Sequence, residues 1–210
     1  MPLIILTVLI IGSAALDVLA EYQGSRRGVY LFKPLTVALI ILVALQAKNP
    51  VPPFYRQMII AGLLCSLVGD IFLMLPSDRF IPGLLSFLLA HLFYIAAFAF
   101  AARPAFVVWS LIPFLLYGGL MLCVLWRGLG KMRAPLVIYL LAILLMGWAA
   151  VSRWLAAEQG GSLAAMLGAL CFIASDSVLA VDRFRGHFRS AQFWILTTYF
   201  TAQWLIALST

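Results

Sequence analysis

Charged side chains are scarce in this sequence: they make up 10% of its 210 residues, whereas 65% of the residues are apolar. A soluble globular domain has about 25% charged and about 45–50% apolar residues. The scarcity of charge therefore excludes a water-soluble enzyme and a disordered chain. The net charge of +7 does not indicate a nucleic-acid partner. The basic residues are scattered between long apolar runs, where they set membrane topology.

Cysteine and histidine are also rare, and neither forms a recognisable site. The three cysteines lie inside apolar runs without a CxxC spacing, which is typical of small buried hydrophobic residues. A catalytic zinc ion needs three protein ligands, usually histidines, and the chain has only His91 and His187. The GxSxG motif of a serine hydrolase is absent as well. The sequence therefore predicts no metal site and no cofactor.

Long apolar runs dominate the chain instead. A transmembrane helix needs about 20 mainly apolar residues, and reading for such runs predicts eight spans. They cover 2–22, 31–47, 55–75, 80–102, 105–126, 134–155, 161–182 and 190–209. The loops between them are short and leave no room for a separate soluble domain. We therefore predict a single transmembrane domain over residues 1–210, built as an all-α polytopic bundle of about eight helices.

Basic residues are unevenly divided between the two sides of this bundle. Ten of the 14 Lys and Arg residues belong to loops 1, 3, 5 and 7. The other four, in loops 2, 4 and 6, are Lys48, Arg56, Arg103 and Arg153. Short loops rich in Lys and Arg stay in the cytoplasm. We therefore expect an integral protein of the bacterial inner membrane with both termini on the periplasmic side.

Polar side chains inside the spans lie toward one membrane face. At about 1.5 Å per helical residue, Asp70 and Asp176 lie roughly 8–9 Å from the cytoplasmic face, and His91 and Tyr199 roughly 13–15 Å from it. Ionisable groups at such depth are costly and usually functional. The pattern favours one polar cavity that opens to the cytoplasm. The alternatives are that the aspartates are helix-packing hydrogen bonders and that His91 is an interior histidine.

Further polar residues share helix faces with this group. Tyr94 follows His91 by three positions and Gln203 follows Tyr199 by four, so each pair lies on one face of its helix. Lys33 opens span 2 at the cytoplasmic face. For the two tyrosines, a packing role is the alternative.

A weak internal repeat relates the two halves of the chain. Leu64-Cys65 precedes Gly69-Asp70 with the same spacing by which Leu170-Cys171 precedes Ser175-Asp176. The two stretches are about half a chain apart. This predicts two parallel four-helix halves, each of which supplies one aspartate.

A pair of buried carboxyl groups has chemistry of its own. Two carboxyls in one low-dielectric site can share a proton, so that one acts as an acid while the other is an ionised base. That arrangement suits acid-catalysed hydrolysis of an ether or acetal-like bond in a lipid. The sequence leaves open which of Asp70 and Asp176 has which role.

Five short motifs, in order, resemble the YhhN family over essentially the whole chain. They are Lys33-Pro34-Leu35-Thr36, Gly69 to Met74, Ala90 to Tyr94, Gly168 to Asp176, and Tyr199 to Gln203. The animal members of this family are lysoplasmalogenases. The resemblance therefore implies a membrane hydrolase that cleaves the vinyl ether bond of lysoplasmalogens. Its products are a fatty aldehyde and glycerophosphocholine or glycerophosphoethanolamine.

The resemblance also implies roles for individual residues. The two intramembrane aspartates of the family correspond to Asp70 and Asp176, the predicted catalytic pair. Residues expected to orient water or the glycerol hydroxyl group are His91, Tyr94, Tyr199 and Gln203, and those expected to contact the phosphate are Lys33 and Arg183. The expected partners are a lysophospholipid substrate and membrane lipids. Two other classes stay open, a lipid or small-solute transporter and a non-catalytic lipid-binding or scaffold protein.

Overall fold

The computed structural model describes residues 3–46, 51–77, 79–102, 107–156 and 160–210. Within these ranges the chain forms eight α-helices. They are α1 Leu3–Tyr22, α2 Arg26–Gln46, α3 Pro53–Met74, α4 Phe80–Ala102, α5 Ile112–Leu125, α6 Arg133–Ala156, α7 Ser162–Phe184 and α8 Ala191–Leu208. Two short 3₁₀ helices, Val108–Leu111 and Gly130–Met132, precede α5 and α6. The prediction of an all-helical polytopic bundle is confirmed.

Seven helical segments of the described structure are long and apolar enough to cross a membrane, the one that contains α5 including the 3₁₀ helix before it (Val108–Leu125). The exception within the described ranges is α8, whose 18 residues include two glutamines, three threonines and a tyrosine. Large apolar side chains face outward; Ile4 is 78% exposed, Val108 72% and Leu116 70%. Water would drive such a surface to aggregate, whereas the acyl chains of a bilayer cover it.

The helix bounds differ from the predicted spans at two places that bear on function. Helix α2 begins at Arg26 rather than at residue 31, so Lys33 lies two turns inside the helix instead of opening it. Helix α5 begins at Ile112, with Pro113 in its first turn, where proline needs no backbone partner. Lys48 and Arg103 of the loop-charge argument lie outside the described residues.

Several helix pairs pack in the same order in the two halves of the chain. In the first half α2 packs on α3 and α3 on α4, and in the second α6 packs on α7 and α7 on α8. Between the halves α4 packs on α6 and α2 on α8, which are equivalent pairs if the halves are related by a repeat. Asp70 and Asp176 lie on the equivalent helices α3 and α7, so the arrangement brings them toward one region.

Small residues let α3 and α4 approach closely. Gly62, Ser66 and Gly69 form a stripe along α3, a spacing that predicts a close helix contact. A Cβ atom at Gly62 would lie 2.3 Å from the Tyr94 ring, and one at Gly69 would lie 2.7 Å from the Phe87 ring. Both glycines therefore provide the room that these two aromatic rings of α4 occupy.

Candidate active site

One cavity of the described structure holds most of the predicted polar site. Its volume is about 240 Å³, and we call it the polar cavity. Residues of α1, α2, α3, α4, α7, α8 and the adjoining loops line it: Glu21, Lys33, Asp70, Leu73, Leu75, Arg79, Phe80, Phe87, Ser175, Asp176, Leu179, Asp182, Arg183, His187, Gln192, Ile195, Leu196 and Tyr199. The two predicted catalytic aspartates therefore share one cavity wall with Tyr199, Lys33 and Arg183.

Asp70 lies in the last two turns of α3, and its side chain is buried. The hydroxyl group of Tyr199, on α8, donates a 2.6 Å hydrogen bond to its Oδ2 atom. The Lys33 ammonium group also lies within electrostatic range of this carboxyl. The hydroxyl donor and the nearby cation each favour the ionised form of this carboxyl group, whereas its burial favours the protonated form.

Asp176 occupies the corresponding place on α7. The hydroxyl group of Tyr139, on α6, donates a short hydrogen bond to its Oδ2 atom. The charge that acts on Asp176 is that of Asp70, so the two carboxyl groups are coupled. A like charge disfavours simultaneous ionisation of both groups. The structure thus provides a hydroxyl donor for each acid and a repulsion that disfavours ionisation of both acids at once.

Sequence reasoning missed Tyr139, although a usable signal was present. Tyr139 lies six residues beyond the start of α6 at Arg133, which corresponds to about 9 Å of helix. That is the depth predicted for Asp176 from the same membrane face. Extending the depth argument from ionisable groups to every tyrosine of the spans would have selected it.

Lys33 is already paired within the cavity. Its Nζ atom lies 3.4 Å from Oε1 of Glu21, and both side chains are largely buried. Its charge also acts on Asp17, a fully buried carboxyl of α1. Lys33 therefore balances a group of acids, and its ammonium group is less available to a phosphate than the sequence suggested.

The basic residues at the cavity rim are Arg79 and Arg183, both exposed. The guanidinium group of Arg183 lies over the Phe80 ring, 4.9 Å from its centroid, while Nε of Arg79 donates a hydrogen bond to Ser77. Beside them, Asp182 accepts a hydrogen bond from the backbone of Phe188 and thereby anchors the α7–α8 loop. Two guanidinium groups at a cavity rim suit an anionic headgroup.

Three predicted site residues do not reach the cavity wall. His91 is fully buried, and its ring packs edge-on against Tyr139 and Phe172, with centroids 5.0 and 4.8 Å away. Tyr94 is also fully buried and donates a 2.7 Å hydrogen bond to Oε1 of Gln203. These residues form the layer behind the cavity, where they position Tyr139 and the helix that carries Tyr199.

A second buried polar cluster lies far from the polar cavity, in the half of the bundle expected to be apolar. Arg153, in the last turn of α6, is 1% exposed and donates a short hydrogen bond to the hydroxyl of Tyr55. Its guanidinium carbon also lies 4.3 Å from the centroid of that ring. The Tyr55 hydroxyl is 2.6 Å from that of Ser209. This cluster joins α3, α6 and the end of α8.

The chain is similar to membrane proteins of one family. The YhhN family model matches residues 28–210. The uncharacterized membrane protein YhhN of Escherichia coli O157:H7 is 33% identical over 198 residues, which cover 94% of each chain. Lysoplasmalogenase TMEM86B of Homo sapiens is 40% identical over 156 residues, covering 74% of this chain and 64% of the human one. Lysoplasmalogenase TMEM86A of Homo sapiens is 37% identical over 159 residues, covering 72% and 64%. No solved structure matches. The chain is an integral membrane protein and belongs to the YhhN family.

Proposed function

We propose that this protein hydrolyses the vinyl ether bond of lysoplasmalogens, releasing a fatty aldehyde and glycerophosphocholine or glycerophosphoethanolamine. The observation that carries the proposal is the pair of aspartates in one cavity, each with its own tyrosine donor, Tyr199 on Asp70 and Tyr139 on Asp176. Relatives at 37–40% identity are named lysoplasmalogenases, which supplies the substrate class. A vinyl ether needs one acid and one base for its hydrolysis, and the cavity holds both.

The reaction begins with transfer of a proton from one aspartic acid to the vinyl carbon that is not bonded to oxygen. The resulting oxocarbenium-like cation is stabilised by the other, ionised aspartate, which also removes a proton from the attacking water. The product is a hemiacetal, which collapses to an aldehyde and the glycerol hydroxyl. Tyr139 and Tyr199 each bond to Oδ2, so Oδ1 is the atom of each carboxyl that meets substrate or water.

The phosphate of the substrate binds at the rim of the polar cavity. Arg79 and Arg183 supply charge there, while Lys33 stays with Glu21 and stabilises the ionised state of the acids around it. The loop-charge asymmetry supports an orientation with this rim in the cytoplasm and both termini on the periplasmic side of a bacterial inner membrane. The enzyme then receives lysolipids from the inner leaflet and releases the polar product into the cytoplasm.

The purified protein in detergent tests the proposal directly. It is incubated with a lysoplasmalogen and, separately, with the saturated ether analogue, and free aldehyde is measured. We expect aldehyde from the vinyl ether alone, because a saturated ether has no carbon that accepts a proton to give the stabilised cation. Saturable binding of both lipids without aldehyde would overturn the proposal in favour of lipid binding or transport.

A further inference from the structure

A second, apolar cavity lies beside the polar cavity, and α5 forms part of its wall. It is small, about 50 Å³, and we call it the apolar cavity. Residues of α3, α4, α5, α6 and α7 line it: Leu73, Phe80, Leu84, Phe87, Met121, Leu125, Leu136, Tyr139, Leu140, Ile143, Ile173, Asp176, Ser177, Leu179, Ala180 and Phe184. Apart from Tyr139, Asp176 and Ser177, every one of these side chains is apolar. Its apolar lining suits an alkyl chain rather than a polar solute.

The two cavities share one stretch of wall. The residues common to both are Leu73, Phe80, Phe87, Asp176 and Leu179. Asp176 is the ionisable member of this shared wall, whereas Asp70 lines the polar cavity and is absent from the lining of the apolar one. An amphipathic molecule that spans both cavities therefore passes Asp176 at the point where its polar part meets its apolar part.

A larger apolar groove elsewhere is the competing place for an alkyl chain. It lies between α1 and α8, holds about 610 Å³ and includes Ile10, Val18, Phe200 and Trp204 in its wall. However, it shares no lining residue with the polar cavity and contains neither aspartate. An alkyl chain bound in this groove would leave its ether bond away from both carboxyl groups. The larger volume of the groove therefore does not make it the better site for the chain.

We propose that the apolar cavity binds the alkenyl chain of the substrate and that Asp176 is consequently the proton donor, with Asp70 as the base that activates water. This inference rests on the proposed function and specifies the orientation of its substrate. The vinyl carbon that accepts the proton belongs to the chain side of the ether, which faces Asp176 on the shared wall. The oxygen side faces the polar cavity, where Asp70 lies with Tyr199 and within range of the Lys33 charge.

With these roles, every proton and electron pair is accounted for over the whole reaction. Asp176 gives its proton to the chain-side vinyl carbon, and the double-bond electrons form the new C–H bond. Water adds to the carbon bonded to oxygen while Asp70 takes a proton from that water. In the collapse, the hemiacetal hydroxyl returns a proton to Asp176 as its C=O bond forms. The C–O bond to glycerol breaks, and the glycerol oxygen receives the proton held by Asp70, so both aspartates return to their starting states.

Filling the apolar cavity tests the chain site. In Ala180→Phe a ring enters the cavity, whereas Ala174→Phe places the same ring on the exposed face of α7, outside every cavity described above. Each variant is assayed with lysoplasmalogens of sixteen-carbon and four-carbon alkenyl chains. We expect Ala180→Phe to lower kcat/KM for the long chain by about 10–50-fold, at about fourfold per excluded methylene, and to affect the short chain far less. Ala174→Phe leaves both unchanged.

A photoreactive substrate analogue locates the chain even if Ala180→Phe fails to fold. The saturated ether carries a diazirine at the end of its chain, and peptides labelled in the unmodified protein are identified by mass spectrometry. Labelling of α5 and α6, at residues such as Met121, Leu125 or Ile143, supports the proposal. Labelling of α1 and α8 at the larger groove overturns it while aldehyde release by the same preparation leaves the hydrolase function intact. Absence of aldehyde release from the unmodified protein would instead overturn the proposed hydrolase function.

Rescue by a small anion tests the roles of the two acids. Formate is ionised at neutral pH and replaces a lost carboxylate but not a lost proton. We expect formate to raise the activity of Asp70→Asn by about tenfold, out of a loss of about 10²–10⁴-fold, and to leave Asp176→Asn inactive. Rescue of Asp176→Asn with no rescue of Asp70→Asn would overturn the assignment.

Discussion

The hydroxyl group of Tyr199 donates a 2.6 Å hydrogen bond to Oδ2 of Asp70 and so joins α8 to α3 at the wall of the polar cavity. Tyr139 makes the corresponding bond to Asp176 and joins α6 to α7. Each acid is therefore oriented by a tyrosine from a helix of the second half of the chain. Each carboxyl group is thus held in one orientation, as the proposed acid–base catalysis requires.

Removal of either tyrosine hydroxyl is expected to slow catalysis without unfolding the protein. A hydrogen bond to a charged group contributes about 1.5–3 kcal/mol, so Tyr199→Phe and Tyr139→Phe should each lower kcat by about 10–100-fold. Tyr22→Phe is the matched control, since its hydroxyl bonds to the Arg189 carbonyl at the exposed surface. Steady-state rates of aldehyde release check this. Equal kcat in all three variants would show that the tyrosines do not orient the acids.

The contact of Gly62 with Tyr94 is expected to matter for stability. A methyl group at Gly62 would lie 2.3 Å from the buried Tyr94 ring, which the surrounding side chains hold in place. Gly62→Ala should therefore destabilise the protein by about 1–3 kcal/mol and lower its melting temperature in detergent. Gly12→Ala, on α1, has open space around its new methyl group and should be neutral or slightly stabilising. Identical melting temperatures for the two variants would contradict the close-contact argument.

The helices and the two aspartates could be predicted because both depend on local sequence. The length of an apolar run fixes a span, and the distance of Asp70 or Asp176 from the end of its run fixes its depth. Depth does not fix the direction in which a side chain points, however. His91 lies at the predicted depth but packs behind the cavity, because the rotation of α4 about its axis depends on the neighbouring helices.

The sequence also did not reveal which side chains of different helices contact each other. The contact of Lys33 with Glu21 depends on the turn that sets α2 against α1, where Gly24 has a positive φ of 66°. Such a backbone conformation favours glycine, but its presence does not reveal which side chains it brings together. The prediction that Lys33 opens the second helix was wrong for a related reason: α2 already begins at Arg26, so Lys33 lies two turns inside it.

Chelation of metal ions is expected to leave the activity unchanged. The chain has only two histidines, and the described residues contain no group of three or more His, Cys, Asp or Glu side chains able to hold a metal ion. Aldehyde release is measured before and after dialysis against EDTA. Loss of activity that zinc restores would replace the carboxylate mechanism with metal-assisted hydrolysis.

Both termini are expected on the periplasmic side, since the basic loops favour the cytoplasm and the predicted spans, α8 included, number eight. A C-terminal alkaline phosphatase fusion should be active in a Gram-negative host, because that enzyme folds only outside the cytoplasm. The matching C-terminal GFP fusion should be dark. An inactive phosphatase fusion with a fluorescent GFP fusion would show the opposite membrane orientation, with the polar cavity at the periplasmic face.

Substitution of the two aspartates by asparagine distinguishes a catalytic role from a packing role. Asp→Asn keeps the shape of the side chain and can still accept a hydrogen bond from Tyr199 or Tyr139, but it neither ionises nor gives up a proton. A packing role would tolerate the change, at about 1–2 kcal/mol of stability. A catalytic role would not, since general acid–base assistance is worth about 10²–10⁴-fold in rate.

We therefore expect Asp70→Asn and Asp176→Asn to remain folded in detergent, judged by gel filtration and thermal unfolding, and to lose nearly all cleavage of the vinyl ether. The double variant should be hardly slower than either single one, because groups that act as a unit do not contribute additively. Binding of the saturated ether analogue should persist in all three, which separates loss of chemistry from loss of the site. Folded single variants with near-normal turnover would return both aspartates to a packing role.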